Sequence, residues 1–180
     1  MQAIQFIVAS LLGLYQIVLL LRLLMQWVRA DFRNPVARAI VQLTDPVILP
    51  LRRLLPPVRR VDTASVVAIL AVSALKIAAG LLLGAGLIHG LGLPSPLLLL
   101  RELLLETVRL VLTTYLFAII LNAILSFVAP ENYSPAQSLL NAICEPVLRP
   151  IRRHIPSVAG LDLSPLWACI AIQALLILIR

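Results

Sequence analysis

One phrase of this chain returns one hundred residues later, with no insertion between the copies. Asp45-Pro46-x3-Pro50-Leu51-Arg52-Arg53-x-Leu55-Pro56-x5-Asp62 is matched by Glu145-Pro146-x3-Pro150-Ile151-Arg152-Arg153-x-Ile155-Pro156-x5-Asp162. Eight of the seventeen positions from 46 to 62 are identical to their counterparts. A fixed period means one structural unit used twice, so the fold must be one that two similar halves can build. Prolines, arginines and aspartates coincide while the flanking apolar stretches have drifted. The constraint therefore lies on the motif.

Those stretches decide the medium. Of the 180 residues, 61% are hydrophobic and only 13% are charged. Soluble domains are about 45–50% apolar and about 25% charged, and a chain of this length cannot hide so much apolar surface in a water-soluble core. Four runs approach the roughly 20 residues needed to cross a bilayer: about 4–28, 64–88, 103–128 and 164–179. The fourth is the shortest, and Asp162, Ser164 and Pro165 supply its start. The first lacks a charged leading region and is too long for a signal sequence, so it reads as a retained helix.

Ten of the fifteen basic residues lie in the two motif loops. The connection from His89 to Glu102 carries only Arg101, balanced by Glu102. Basic loops beside apolar helices are what the positive-inside rule produces. The net charge of +7 is thereby explained without nucleic acid, which is not expected as a partner. Both motif loops are expected in the cytoplasm and both termini in the periplasm. Each motif loop opens on a cap followed by proline, Asn34-Pro35 and Ser134-Pro135. The amphipathic helix that follows is expected to stop at Asp45-Pro46 and Glu145-Pro146, because a residue before proline disfavours the helical region. A kinked proline-arginine segment would continue in the headgroup layer, arginines at the phosphates.

The expected fold is all-α: a polytopic membrane protein with four transmembrane helices in two parallel tandem repeats, residues 1–90 and 91–180, related by an axis along the membrane normal. The doubled motif between apolar helices resembles the YggT family of bacterial integral membrane proteins. The second copy carries the fuller form, Gly160-Leu161-Asp162-Leu163-Ser164-Pro165, whereas the first reads Arg60-Val61-Asp62-Thr63-Ala64-Ser65. The resemblance implies no enzyme activity. It implies a link to envelope and osmotic stress tolerance, and in some lineages to cell or organelle division and cofactor assembly.

Ionisable residues inside spans are functional candidates by default. Arg22 lies near the end of the first span and can snorkel to headgroups. Glu106 and Arg109 are spaced to pair with each other. Lys76 falls near the middle of the second span and has no repeat counterpart. Tyr15, Tyr115, Asn122 and Gln173 are its candidate acceptors. Packing or a solute pathway are its two possible roles. Tyr15, Arg22 and Gln26 correspond to Tyr115, Asn122 and Ser126, a polar stripe on one helix face.

The twin arginines have two possible uses. Arg52 or Arg53 could clamp Asp62, and Arg152 or Arg153 could clamp Asp162, or the forks could hold anionic lipid headgroups. Asp45, Pro46, Pro50, Pro56, Glu145, Pro146, Pro150 and Pro156 complete the motif set. Cys144 and Cys169 read as small structural residues. No nucleophile with a base, phosphate loop or metal-spaced cluster is present, so no catalytic, cofactor or metal site is expected. The functional expectation is a non-enzymatic inner-membrane scaffold or accessory factor. Its partners would be the bilayer, an unidentified protein and, as an option, further copies of itself. A small channel or transporter component is the alternative.

Overall fold

Asn34 and Pro35 show how this chain begins a helix. The Asn34 Oδ1 accepts from the Val36 N–H at 2.8 Å, and Pro35 sits in the first turn, where it has no hydrogen bond to lose. Ser134 Oγ accepts from the Gln137 N–H at 3.1 Å in the second copy. Pro165 likewise enters the last helix in its first turn. The computed structural model describes residues 2–55, 62–83, 95–128, 134–154 and 162–179. Among them it contains six helices and no strand: α1 (Gln2–Trp27), α2 (Pro35–Leu54), α3 (Thr63–Leu83), α4 (Pro96–Val128), α5 (Pro135–His154) and α6 (Ser164–Leu178).

Three of these, α1, α3 and α4, are long and apolar enough to cross a membrane. The fourth expected span, α6, has 15 residues and is about 22 Å long, short of a hydrocarbon core of about 30 Å. The third begins seven residues earlier than expected. Ser95-Pro96 is a further cap-and-proline start, with Ser95 O accepting from the Leu99 N–H at 3.1 Å. The expected boundary between halves, at residue 90, lies outside the described residues.

Each half uses the same packing pairs. α1 packs along α3 and against α2, which also touches α3; α4 packs along α6 and against α5, which also touches α6. The halves meet where α3 packs against α4, with further contacts of α1 to α4 and of α1 and α2 to α5. Asn34 Nδ2 donates to the Pro135 carbonyl at 2.6 Å and to Ser138 Oγ at 3.1 Å. That places the starts of the two motif helices side by side.

The core sits at the motif end of the bundle. It takes Leu19, Leu20, Leu24 and Met25 from the second half of α1, Ala64, Ala68 and Ile69 from the first half of α3, and the corresponding Ile119 and Ala168. Into it α2 and α5 each insert one apolar stripe, Ala37, Ile40, Thr44 and Ile48 on α2 and Leu139, Ile143, Cys144 and Leu148 on α5. These spacings keep one face inward. Away from this end, large apolar side chains such as Phe6, Leu11 and Leu178 stand exposed, which is the surface of a protein solvated by lipid.

The motif helices do not stop where expected. α2 continues through Pro46 and Pro50, and α5 through Pro146 and Pro150, each for 20 residues. A proline inside a helix removes one hydrogen bond and crowds the preceding turn. In α2 that turn has other donors. Thr44 Oγ1 lies 2.7 Å from the Ile40 carbonyl and 3.1 Å from that of Val41, and Arg22 Nη1 donates to Val41 O at 3.2 Å. The expected kinked segment is thus helix as far as Leu54 and His154; Pro56 and Pro156 lie outside the described residues.

Candidate functional site at the repeated motif

The last turn of each motif helix carries the Arg-Arg pair, and the pair divides its work. Arg52 turns back to the start of α3. Its Nη2 donates to Asp62 Oδ2 at 2.6 Å and its Nε to Oδ1 at 3.4 Å. Asp62 is fully buried and also accepts from Ser65 Oγ at 2.8 Å. Burial pushes its carboxyl up, but the hydrogen bonds from Arg52 and Ser65 and the charges of Arg52 and Arg22 outweigh that. The net result holds Asp62 below the usual carboxylate range.

Arg152 Nε reaches Asp162 Oδ2 at 2.7 Å, and Asp162 Oδ1 accepts from the Ser164 N–H at 2.9 Å. Desolvation raises the Asp162 pKa, while hydrogen bonds from Ser164 and Arg152 lower it, with a net depression. This second clamp is open: its carboxylate is exposed where that of Asp62 is sealed. In both copies the second arginine stays outside. Arg53 and Arg153 are exposed and form no ion pair among the described residues.

The first residue of the motif is used differently in the two copies. Asp45 pairs with Arg22 of α1 at 2.7 Å. Arg22 is 4% exposed and also donates to Thr44 Oγ1 at 2.7 Å, so it does not reach out to headgroups as expected. At the matching places stand Asn122, Cys144 and Glu145. Without an arginine on α4, Glu145 instead accepts from Arg152 Nη1 at 3.0 Å. Cys144 is buried, and desolvation, with a further push from Cys169 against a lowering by Arg152, raises its thiol pKa to about 12. That is not the state of a reactive thiol.

Pro46, Pro50, Pro146 and Pro150 hold the exposed or edge positions of the motif helices. Of the polar stripe, Tyr115 and Asn122 are buried and Tyr15 is half-buried against the core. Sequence reasoning missed a neighbour of that stripe: Gln16 Nε2 donates to Ser73 Oγ at 2.6 Å in the interior. It also assigned the intramembrane charges differently. Lys76 pairs with Glu106, across α3 and α4, and with none of Tyr15, Tyr115, Asn122 or Gln173. Arg109, expected to hold Glu106, donates to the Ile179 carbonyl at 2.8 Å. The signal for the Lys76 pair was available, since Glu106 stands opposite Phe6 in the repeat and Lys76 opposite Leu176, two unrepeated charges of opposite sign. No group of three or more His, Cys, Asp or Glu side chains among the described residues could hold a metal ion.

The family model described as CCB3/YggT matches residues 1–83 and 102–180. This chain belongs to the CCB3/YggT family. The two matched segments fit two tandem family units, one on each copy of the motif. An uncharacterized protein of Pseudomonas aeruginosa is 43% identical over 168 residues, covering 93% of this chain and 83% of its own. The uncharacterized protein YggT of Escherichia coli K12 is 33% identical over 168 residues, 92% of this chain and 83% of its own. A Vibrio alginolyticus protein described as uncharacterized, in the proC 3' region, is 35% identical over 173 residues, 96% of this chain and 91% of its own. No solved structure matches. The apolar helices and the family together mark a membrane protein whose relatives carry no assigned activity.

Proposed function

We propose that this is a non-enzymatic inner-membrane protein that organises other membrane components through its two motif helices. It would serve envelope or osmotic stress tolerance or division, as a scaffold or accessory factor. The observation that carries this reading is the division of the Arg-Arg pairs. Arg52 and Arg152 bind carboxylates of their own unit, whereas Arg53 and Arg153 stand exposed at the same register in both. A carboxylate clamp explains one arginine of each pair. The other is a planar fork free for a lipid phosphate or a carboxylate.

The arrangement proposed is four spans, α1, α3, α4 and α6, in two parallel units, with α2 and α5 lying at the cytoplasmic surface and the termini in the periplasm. The meeting of the α2 and α5 starts at Asn34 and Pro135 supports parallel units, since it brings the ends of α1 and α4 to one side. Cytoplasmic placement rests on the arginine asymmetry. The Lys76–Glu106 pair favours a static packing role over a conduction path, because each charge already has its counter-charge.

Two double variants test the reading. Arg53→Ala with Arg153→Ala should fold normally but fail to restore growth at high osmolarity in a deletion strain. Arg52→Ala with Arg152→Ala should lose folded protein. Equal yield and equal growth for both would reduce the motif to generic positive charge. Single cysteines at Arg38 and Ser95, in a variant without Cys144 and Cys169, should label from opposite sides of the membrane. Ion flux in protein-containing liposomes above that of empty ones would favour a channel.

A further inference from the structure

The two halves treat one cross-helix polar contact in opposite ways. In the first, Gln16 of α1 donates to the buried Ser73 of α3. In the second, the matching residues are Leu116 and Gln173. The amide has moved to α6, and leucine stands where its mate would be. Gln173 is exposed and makes no hydrogen bond among the described residues. Leu116, at the place of the first unit's donor, offers it no partner.

Gln173 sits in a groove that follows α4 and α6. Three adjoining hollows of about 410, 540 and 360 Å³ succeed one another along these helices. The first two share Ile120 and Cys169, and the last two share Gln173 and Ile177. From Pro165 to Ile177 the groove runs about 18 Å. Its walls are apolar apart from Asp162 at one end and Gln173, Thr113 and Arg109 at the other. Arg109 is already engaged with the Ile179 carbonyl, and among the side chains of α6 in the groove Gln173 is the one that carries an amide to be met.

We propose that this groove is where two copies of the chain pair, α6 beside α6 about a two-fold axis along the membrane normal, with the Gln173 amides bonded to each other. The inference rests on the reading of α6 as lipid-embedded. A primary amide carries both a donor and an acceptor, so two of them related by a two-fold satisfy each other. Copies inserted with one topology hold Gln173 at one depth, which this symmetry requires. An acyl chain fills an apolar groove but offers an amide nothing, and amides at such positions drive helix association in membranes. Ala174, exposed one residue on and lining the same groove, lets the helices approach.

The test uses the full chain in native membranes, with Cys144 and Cys169 replaced by serine. Ala174→Cys should form a disulfide-linked dimer on mild oxidation, and Leu11→Cys, exposed on α1, should not. Gln173→Leu, added to Ala174→Cys, should weaken dimerisation about tenfold, read by fluorescence transfer at varied protein-to-lipid ratio. Gln173→Asn should retain it. A crosslink to a different protein overturns the proposal. So does a single copy at every ratio, with or without a retained phospholipid in native mass spectrometry, and so does unchanged pairing in Gln173→Leu. Failure of the membrane reading is distinct: an impermeant maleimide in water would then label position 174.

Discussion

Arg22 and Asp45 form a 2.7 Å ion pair that fastens α2 to α1 one residue before Pro46. The same guanidinium nitrogen bonds Thr44 Oγ1 and reaches the Val41 carbonyl. One side chain therefore neutralises the first residue of the motif and ties down the turn that precedes the proline. In the second half, Asn122, Cys144 and Glu145 replace all three participants. That substitution is concerted: when the arginine is absent, the threonine is absent too, and the acid turns to Arg152.

Asp45→Ala should destabilise the protein by about 2–3 kcal/mol, because it leaves a buried guanidinium with only neutral acceptors. Arg22→Asn, the residue of the other half, should cost a similar amount. The two together should cost less than their sum, with a coupling of about 1–3 kcal/mol. Unfolding in detergent micelles across the double-mutant cycle measures this, and strict additivity would show that the pair contributes nothing beyond its separate parts.

The Arg52–Asp62 clamp predicts an acid limit. Asp62 titrates below its ordinary value of 3.8 in the folded protein. Its contribution is therefore complete above the unfolded pKa and is lost as the pH falls through the folded one. Stability should drop below about pH 4, and Asp62→Asn should be less stable at pH 7 with a flatter profile between pH 5 and 3. Asp162→Asn should flatten the profile less, because its clamp is exposed and screened by solvent. Unfolding midpoints at each pH decide it. Identical profiles for Asp62→Asn and the unaltered protein would contradict the clamp.

How far the sequence carried this fold depends on which physical rule governed each element. Apolar runs and cap-proline starts are local signals, so α1, α3 and α6 fall close to their expected starts. α4 begins early because Ser95-Pro96 is the same signal, read over. The expected stops at Pro46 and Pro146 failed alike, although only the first has an arginine beside it, because packing of the buried stripe of each motif helix outweighs the one hydrogen bond that a proline removes. The Arg52–Asp62 and Arg152–Asp162 contacts were legible as an option because both partners recur at a fixed separation. The Lys76–Glu106 pair was legible only as two unrepeated charges of opposite sign, because it joins two halves and no fixed spacing links its members. Gln16 and Ser73 were hidden, each having an unlike residue at its counterpart.

The turn after α1 offers a separate test. Arg29 has φ of 54°, the left-handed region that costs a residue with a Cβ roughly 1–2 kcal/mol. The Ala30 N–H bonds to Met25 O at 2.9 Å and the Arg29 N–H to Gln26 O at 3.3 Å. This is the closing pattern that favours glycine at that position. Arg29→Gly should raise stability by about 0.5 kcal/mol, the relief of strain being partly offset by a more flexible unfolded chain. Arg29→Val should lower it. A thermal midpoint that falls for glycine as for valine would mean that the arginine side chain itself holds the turn.

The intramembrane pair gives the final prediction. Lys76→Met alone removes the counter-charge of Glu106, whose side chain is only 24% exposed. The carboxylate is then left without its counter-charge in an apolar surrounding, and the protein should lose about 2 kcal/mol. Lys76→Met with Glu106→Gln removes both charges at nearly constant volume and should recover most of that loss, since a neutral isostere of an ion pair is often tolerated. The exchange Lys76→Glu with Glu106→Lys should also fold, because the pair is preserved in reverse. Unfolding in micelles ranks the three, and growth at high osmolarity reads their function. A double-neutral variant that folds as well as the unaltered chain but fails to support growth would show that the charges do more than hold α3 against α4.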